Sequence, residues 1–219
     1  NDTSTIVKAA GGTIVGSVKH PLNASDFSSF LLQAQSSKAQ ILGMANAGGD
    51  TINTIKAANE FGITKTMKLA GLLVFINDIH SLGLKTTQGM YLTDSWYWNQ
   101  TPETRTWSRK FFDKFKRMPS SLQAADYSAA TQYLAAVKAV GSDDPEKVLA
   151  QLKKAKFNDI FMKNGFVRGD GRVVHDMYLM QVKEPAKSTE PWDYYNVVQV
   201  MKGEEAWTKK SETKCAAWK

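Results

Sequence analysis

Residues Ala39–Ile63 read AQILGMANAGGDTINTIKAANEFGI. A short apolar run, Ile41 to Ala45, breaks at Asn46, Gly48 and Gly49. The chain restarts with Ile52, Ile55, Ala58 and Phe61 at helical spacing, with Asp50 placed as N-cap and Gly62 as the terminating C′ glycine. Strand, tight turn and helix make the unit of an α/β domain. Ligands of open α/β sheets sit beyond the carboxyl ends of strands, where such turns lie. The free N–H groups of a helix start favour an anion there. Every α/β fold has several such turns, so an ordinary βα connection is the plainer reading of these residues alone.

Working outward, Ile6, Val7 and Ala10 form the apolar side of a helix stopped by Gly11. A helix so close to Asn1 leads to the expectation of a chain cut from something longer. Thr13 to Val18 predicts a strand, and Ser25 or Asp26 caps a helix through Phe27, Phe30, Leu31 and Ala34. Met67 to Gly71 is a further strand, Phe75 to Leu82 a short helix ended by Gly83, and Gln88 to Thr93 the next strand. Residues 1–93 therefore predict β-α-β-α-β-α-β, which implies a parallel sheet with helices on both faces.

The character changes at Asp94, where DSWYWNQ places three aromatics in a polar loop just past a strand. Pro102 suits the first position of a helix to Arg117. Pro119 and Ser120 restart a helix to Val140, expected to be buried nearly all round because Asp126 is its only charge between Gln123 and Lys138. Ser142 to Pro145 caps a third helix ending near Lys156. Asn164-Gly165 and Asp170-Gly171 signal turns, and strands follow at Arg172 to His175, Tyr178 to Val182 and Tyr194 to Val200.

A chain of 219 residues with 42% hydrophobic content can bury a sizeable core. Its longest apolar run, Leu72 to Ile76, is far too short to span a bilayer. The net charge of +7 permits attraction to anionic partners. The basic residues are spread out, and their densest group, Arg105 to Arg117, shares a helix with the apolar stripe Trp107, Phe111 and Phe115. That describes a solvated basic face over a core stripe, so no nucleic-acid partner is expected. One cysteine, Cys215, cannot form an internal disulfide, and His20, His80 and His175 have no ligand-like spacing, so no metal site is expected. Sequons at Asn1, Asn23 and Asn99 match chance occurrence in a chain rich in Asn, Ser and Thr.

No phosphate loop, dinucleotide fingerprint or nucleophile elbow is present, so neither a catalytic residue nor a cofactor is expected. Trp96, Tyr97 and Trp98 carry two readings: they stack on a planar ligand, or they plug the junction between two lobes.

Several strings in order carry a resemblance: HPLNASDFSSFLLQAQ (20–35), NTIKAANEFGI (53–63), GMYLTDSWYWNQTPETRTWSRKF (89–111), FVRGDGRVVHDMYLMQVK (166–183) and PWDYYNVVQV (191–200). The chain resembles the C-terminal portion of periplasmic solute-binding proteins of the branched-chain amino-acid type, which feed ABC importers. The resemblance covers nearly the whole chain. It implies the α/β type I periplasmic-binding-protein fold, two Rossmann-like parallel-sheet lobes, with the opening of the first lobe missing. By similarity, residues 1–96 belong to the second lobe, 97–176 return to the first, and 177–219 return to the second and form the tail.

The resemblance also places site residues. The turn Asn46, Ala47, Gly48 matches a ligand-touching turn of the second lobe, and Tyr127 an aromatic facing the cleft. Tyr97 and Trp98 join them as candidate stacking groups. Leu72 stands where amino-acid binders carry a glutamate for the ligand's ammonium. An unpaired ammonium in a buried site is costly, so a small organic acid, aromatic as first candidate, is expected in place of an α-amino acid. The expected partners are that ligand, the membrane permease of an ABC importer, and a missing N-terminal part or a second copy. The expected location is the periplasm, after export on a signal peptide that this chain does not contain. A ligand-sensing receptor domain of the same fold and a cleft enzyme are the alternatives.

Overall fold

The computed structural model describes residues 2–213 and 215–218; Asn1, with its sequon, lies outside them. Helix α1 (Asp2–Ala9) ends as expected: Gly11 adopts φ +82°, and the Gly12 and Gly11 amides donate to the Val7 and Lys8 carbonyls. Thr13–Val18 is not a strand. Among the described residues it pairs with no strand, and Ile14, Val15 and Val18 stay 36%, 55% and 45% exposed, because an extended segment without a ladder has nothing to hold its alternating face inward.

Helix α2 (Ser28–Ser36) follows, with Asp26 accepting from the Ser28 amide and hydroxyl and with Phe27 and Leu31 buried. Then come β1 (Ile41–Met44), α3 (Gly48–Glu60), β2 (Lys68–Gly71), the short helices α4 (Ile76–Leu82) and α5 (Leu84–Thr87), and β3 (Tyr91–Asp94). β3 begins three residues later than the apolar pattern suggests, because Gly89 at φ +77° still belongs to the turn. Both pairings among these strands are parallel, Ile41 opposite Lys68 and Ala70 opposite Tyr91.

Helices α6 (Pro102–Phe115), α7 (Ser121–Val140) and α8 (Pro145–Lys154) come next. Thr101 and Ser120 each form a capping box, and Gly141 stops α7 at φ +67°. The antiparallel pair β4 (Phe166–Val167) and β5 (Val173–Val174) includes a strand the apolar pattern does not announce, being only two residues long. The chain closes with β6 (Met177–Val182), β7 (Tyr195–Met201) and short 3₁₀ turns. The five longer strands make one sheet of order β1-β2-β3-β6-β7.

Packing divides the chain into two compact units. The first holds the residues up to Val74, with 78–92 and 181–188; the second holds 75–77, 93–180 and the residues from Thr189 on. The first unit's core includes Met44, Ile55, Ala58, Leu69 and Ile79. In the second, α7 packs along α8 and buries only Ser121, Ala124, Ser128 and Ala136. The expected all-round burial of α7 is therefore wrong. Leu122, Tyr127, Tyr133 and Leu134 are 51%, 47%, 46% and 64% exposed, since even a sparsely charged helix needs a neighbour on every side to bury every side.

Candidate ligand-binding site

In the first unit, the Asn46–Gly48 turn and Leu72 leave the carboxyl ends of adjacent parallel strands. The Leu72 amide continues the ladder by donating to the Met44 carbonyl at 3.0 Å. Gly71 must stay bare here: a Cβ would lie 2.4 Å from Val74 Cγ2, so the chain can turn tightly over its own loop. Leu72 and Leu73 then project with 39% and 49% exposure.

The turn itself is held from within. Asn46 donates through Nδ2 to Thr54 Oγ1 at 2.9 Å and accepts through Oδ1 from Thr51 Oγ1 at 2.9 Å. His20 donates through Nδ1 to the Pro21 carbonyl, so its Nε2 accepts from Asn46 Nδ2 at 3.2 Å. Asp50 is not the N-cap. Helix α3 begins two residues earlier, at Gly48 in the left-handed region (φ +58°), with extended Ala47 before it. Asp50 instead accepts from the Asn23 amide at 3.1 Å and ties the preceding loop to the first turn of α3. The side chain of Asn46 is thus engaged in the turn, while Ala47 and Gly48 are exposed and small.

In the second unit, Trp96, Tyr97 and Trp98 are buried, at 2%, 4% and 0% exposure. Trp96 donates to the Ile160 carbonyl at 2.8 Å. Trp98 donates to the Trp192 carbonyl at 2.8 Å and carries the Arg109 guanidinium 4.9 Å from its ring centre. Trp192 itself has φ +72°, a conformation that a bulky residue adopts only when its surroundings impose it. The turn presents its carbonyl to Trp98, to Tyr97 Oη at 3.3 Å and to the Tyr194 amide at 2.9 Å.

Asp193 is 1% exposed and fully engaged. It accepts from Tyr97 Oη, Asn99 Nδ2, the Thr189 amide and the Thr189 hydroxyl. Burial first, and then the Asp193 charge, push the Tyr97 phenol up, so it keeps its proton as a hydrogen-bond donor. Tyr127 lies apart from this network. It is half exposed on α7, with its ring 5.2 Å from Trp107.

The structure therefore brings Asn46, Ala47, Gly48 and Leu72 to one strand edge, joins Tyr97 and Trp98 in a buried network, and leaves Tyr127 on an open helix face. Sequence reading passed over His20, Trp192 and Asp193, whose roles depend on long-range contacts. The one available signal was the polar Asp193 inside the aromatic string PWDYY.

Asp94, at the end of β3, is a further buried acid. It accepts from the Ser95 amide at 2.7 Å, with Ser121 at the start of α7 as a second donor. Burial outweighs these bonds and pushes its carboxyl up to about 6 from 3.8, about 3 kcal/mol against the charged form. The folded state holds this proton more tightly than the unfolded chain between pH 3.8 and 6. Asp94 therefore adds stability as the pH falls through that window and weighs against the fold above it. Asp94→Asn is expected to gain more over wild type at pH 7.5 than at pH 4.5 in urea unfolding. An equal difference at both would show that Asp94 does not titrate in the fold.

The chain belongs to the periplasmic binding protein family, whose model matches residues 1–189. Its fold is the α/β type I periplasmic-binding-protein fold. A periplasmic binding protein from Burkholderia mallei is 66% identical over 100% of this chain, with a TM-score of 0.95. A branched chain amino acid ABC transporter periplasmic ligand-binding protein from Burkholderia xenovorans LB400 is 45% identical over 97% of the chain, TM-score 0.88. An ABC transporter solute binding protein from R. palustris, solved with 4-hydroxybenzoate, shares the fold at 21% identity over 93% of the chain, TM-score 0.79. The chain spans 58%, 57% and 56% of these three proteins' lengths. Among proteins with curated functions, none matches the chain.

Proposed function

We propose that the chain is part of an extracytoplasmic solute-binding protein that delivers a small organic acid, an aromatic acid as first candidate, to the permease of an ABC importer, without catalysis. The Asn46–Gly48 turn, Leu72 and Tyr127 would supply contacts from this chain, with Tyr97 and Trp98 as the rigid base of the second unit. Family membership and the transporter relative at 45% identity support solute binding. A protein of this fold that holds 4-hydroxybenzoate supports an aromatic acid as a cargo the fold can take.

The observation that carries the choice of ligand is Leu72. It is exposed just past the carboxyl end of β2, next to the strand whose turn carries small Ala47 and Gly48, and the resemblance matches it to the position where amino-acid binders carry a glutamate. A ligand's ammonium would be desolvated there without a partner. Calorimetry on the intact protein is expected to show binding of benzoate-type acids and none of leucine or valine. Micromolar affinity for an unmodified aliphatic amino acid would overturn the proposal.

A further inference from the structure

The tail after β7 lies beyond the part of the chain that the family model matches. It is tied to the β4–β5 hairpin by two Arg–Trp stacks, all within the second unit. Arg168, 7% exposed, forms a fork to Asp170 (Nε–Oδ1 3.0 Å, Nη2–Oδ2 2.7 Å) and donates through Nη1 to the Thr208 carbonyl at 3.0 Å. Its guanidinium lies 3.9 Å from the ring centre of Trp218. The Trp218 ring covers Gly169 so closely that a Cβ there would be 2.9 Å from Cδ1. The second stack sets Arg172 4.7 Å from Trp207, whose indole N–H donates to the His175 carbonyl at 3.0 Å.

His175 sits inside this second tie. Its ring meets Trp207 edge-on at 5.0 Å and Phe161 at 5.1 Å. Its Nδ1 donates to the Asp176 carbonyl at 2.8 Å, so the next proton must go to Nε2. The Asp176 carboxylate, the one acid among the groups acting on the ring, is taken by Lys202 Nζ at 2.7 Å and the Gly203 amide at 2.9 Å. Arg172 is already a cation on the same indole. A second cation would crowd it and would lose water between two rings.

We infer that the tail is an acid-released strap, pinned to the hairpin by Trp207 and Trp218, with His175 as the trigger that loosens the Trp207 pin. The direction agrees with the surroundings: burial holds the imidazole below its ordinary range, so the latched state binds the proton less well than the released state. Latching is complete above pH 6.5, the ordinary histidine value, and weakens as the pH falls through the released-state value.

Cys215 supplies the reporter, as the chain's one cysteine, exposed and within the tail. A nitroxide spin label on Cys215 of the intact protein is expected to show a mobile component that grows severalfold between pH 7.5 and pH 5.5. His175→Gln is expected to remove that response while the label stays ordered, and Trp207→Ala to give a mobile label at both pH values. A wild-type lineshape that does not change with pH, or one that becomes more ordered in acid, would overturn the inference. So would an undiminished response in His175→Gln.

Discussion

Expressed by itself, the 219-residue chain is expected to elute as an oligomer or to aggregate rather than as a 24.3 kDa monomer. The reason is the α6–α7 face. Trp107, Phe111 and Phe115 form a continuous row with ring centres 5.8 and 4.5 Å apart, and Tyr127 extends it from α7. Phe115 is 57% exposed, and Leu122, Tyr133 and Leu134 are further exposed apolar side chains on α7. Monomers rarely expose contiguous apolar patches beyond a few hundred Å². We propose that either a further segment of the same protein or a second copy covers this face. Light scattering decides whether the chain alone associates, and the double substitution Tyr133→Glu with Leu134→Lys is expected to shift it toward monomer. A cooperatively folded monomer at millimolar concentration would refute the expectation.

Trp98→Ala is expected to destabilise the protein by about 3–5 kcal/mol, the usual cost of truncating a fully buried large aromatic. Three losses combine. The indole volume leaves a cavity, the Trp192 carbonyl loses its 2.8 Å donor in a turn already held at positive φ, and the Arg109 guanidinium loses the ring it covers. Glu190 still pairs with Arg109, so the charge itself keeps a partner. Tyr127→Ala, on an exposed face, is expected to cost within about 1 kcal/mol. Urea unfolding of both variants gives the comparison. Near-wild-type stability for Trp98→Ala would mean that the buried network does not hold the second unit together. Any effect of Trp98→Ala on ligand binding would come with this loss of fold, whereas Tyr127 can be tested as a contact in its own right.

Local chemistry was enough to locate most elements and their ends. A glycine with φ > 0 just past a helical run stops the helix, so Gly11, Gly62, Gly83 and Gly141 mark boundaries without tertiary help. The β1-turn-α3 unit was legible for the same reason, whereas Asn46, Ala47, Gly48 and Leu72 entered as site residues only through the family resemblance. Pro102 and Ser120 likewise announce the starts of α6 and α7.

What depends on partners far along the chain was not legible. Thr13–Val18 has strand composition, but a strand exists only through its ladder, and none forms here. Asp50 has the right type for an N-cap, yet the helix starts at Gly48 and the carboxylate turns to the amide of Asn23, 27 residues away. The sparsely charged sequence of α7 cannot say how many of its sides have neighbours. The two readings of Trp96, Tyr97 and Trp98 were equal on sequence because an aromatic is as suited to a core as to a ligand. Only the tertiary structure shows these rings buried, with their polar atoms bonded to Ile160, Trp192 and Asp193, groups 64 to 96 residues away, because hydrogen-bond partners at such separations are set by the fold and leave no mark on local sequence.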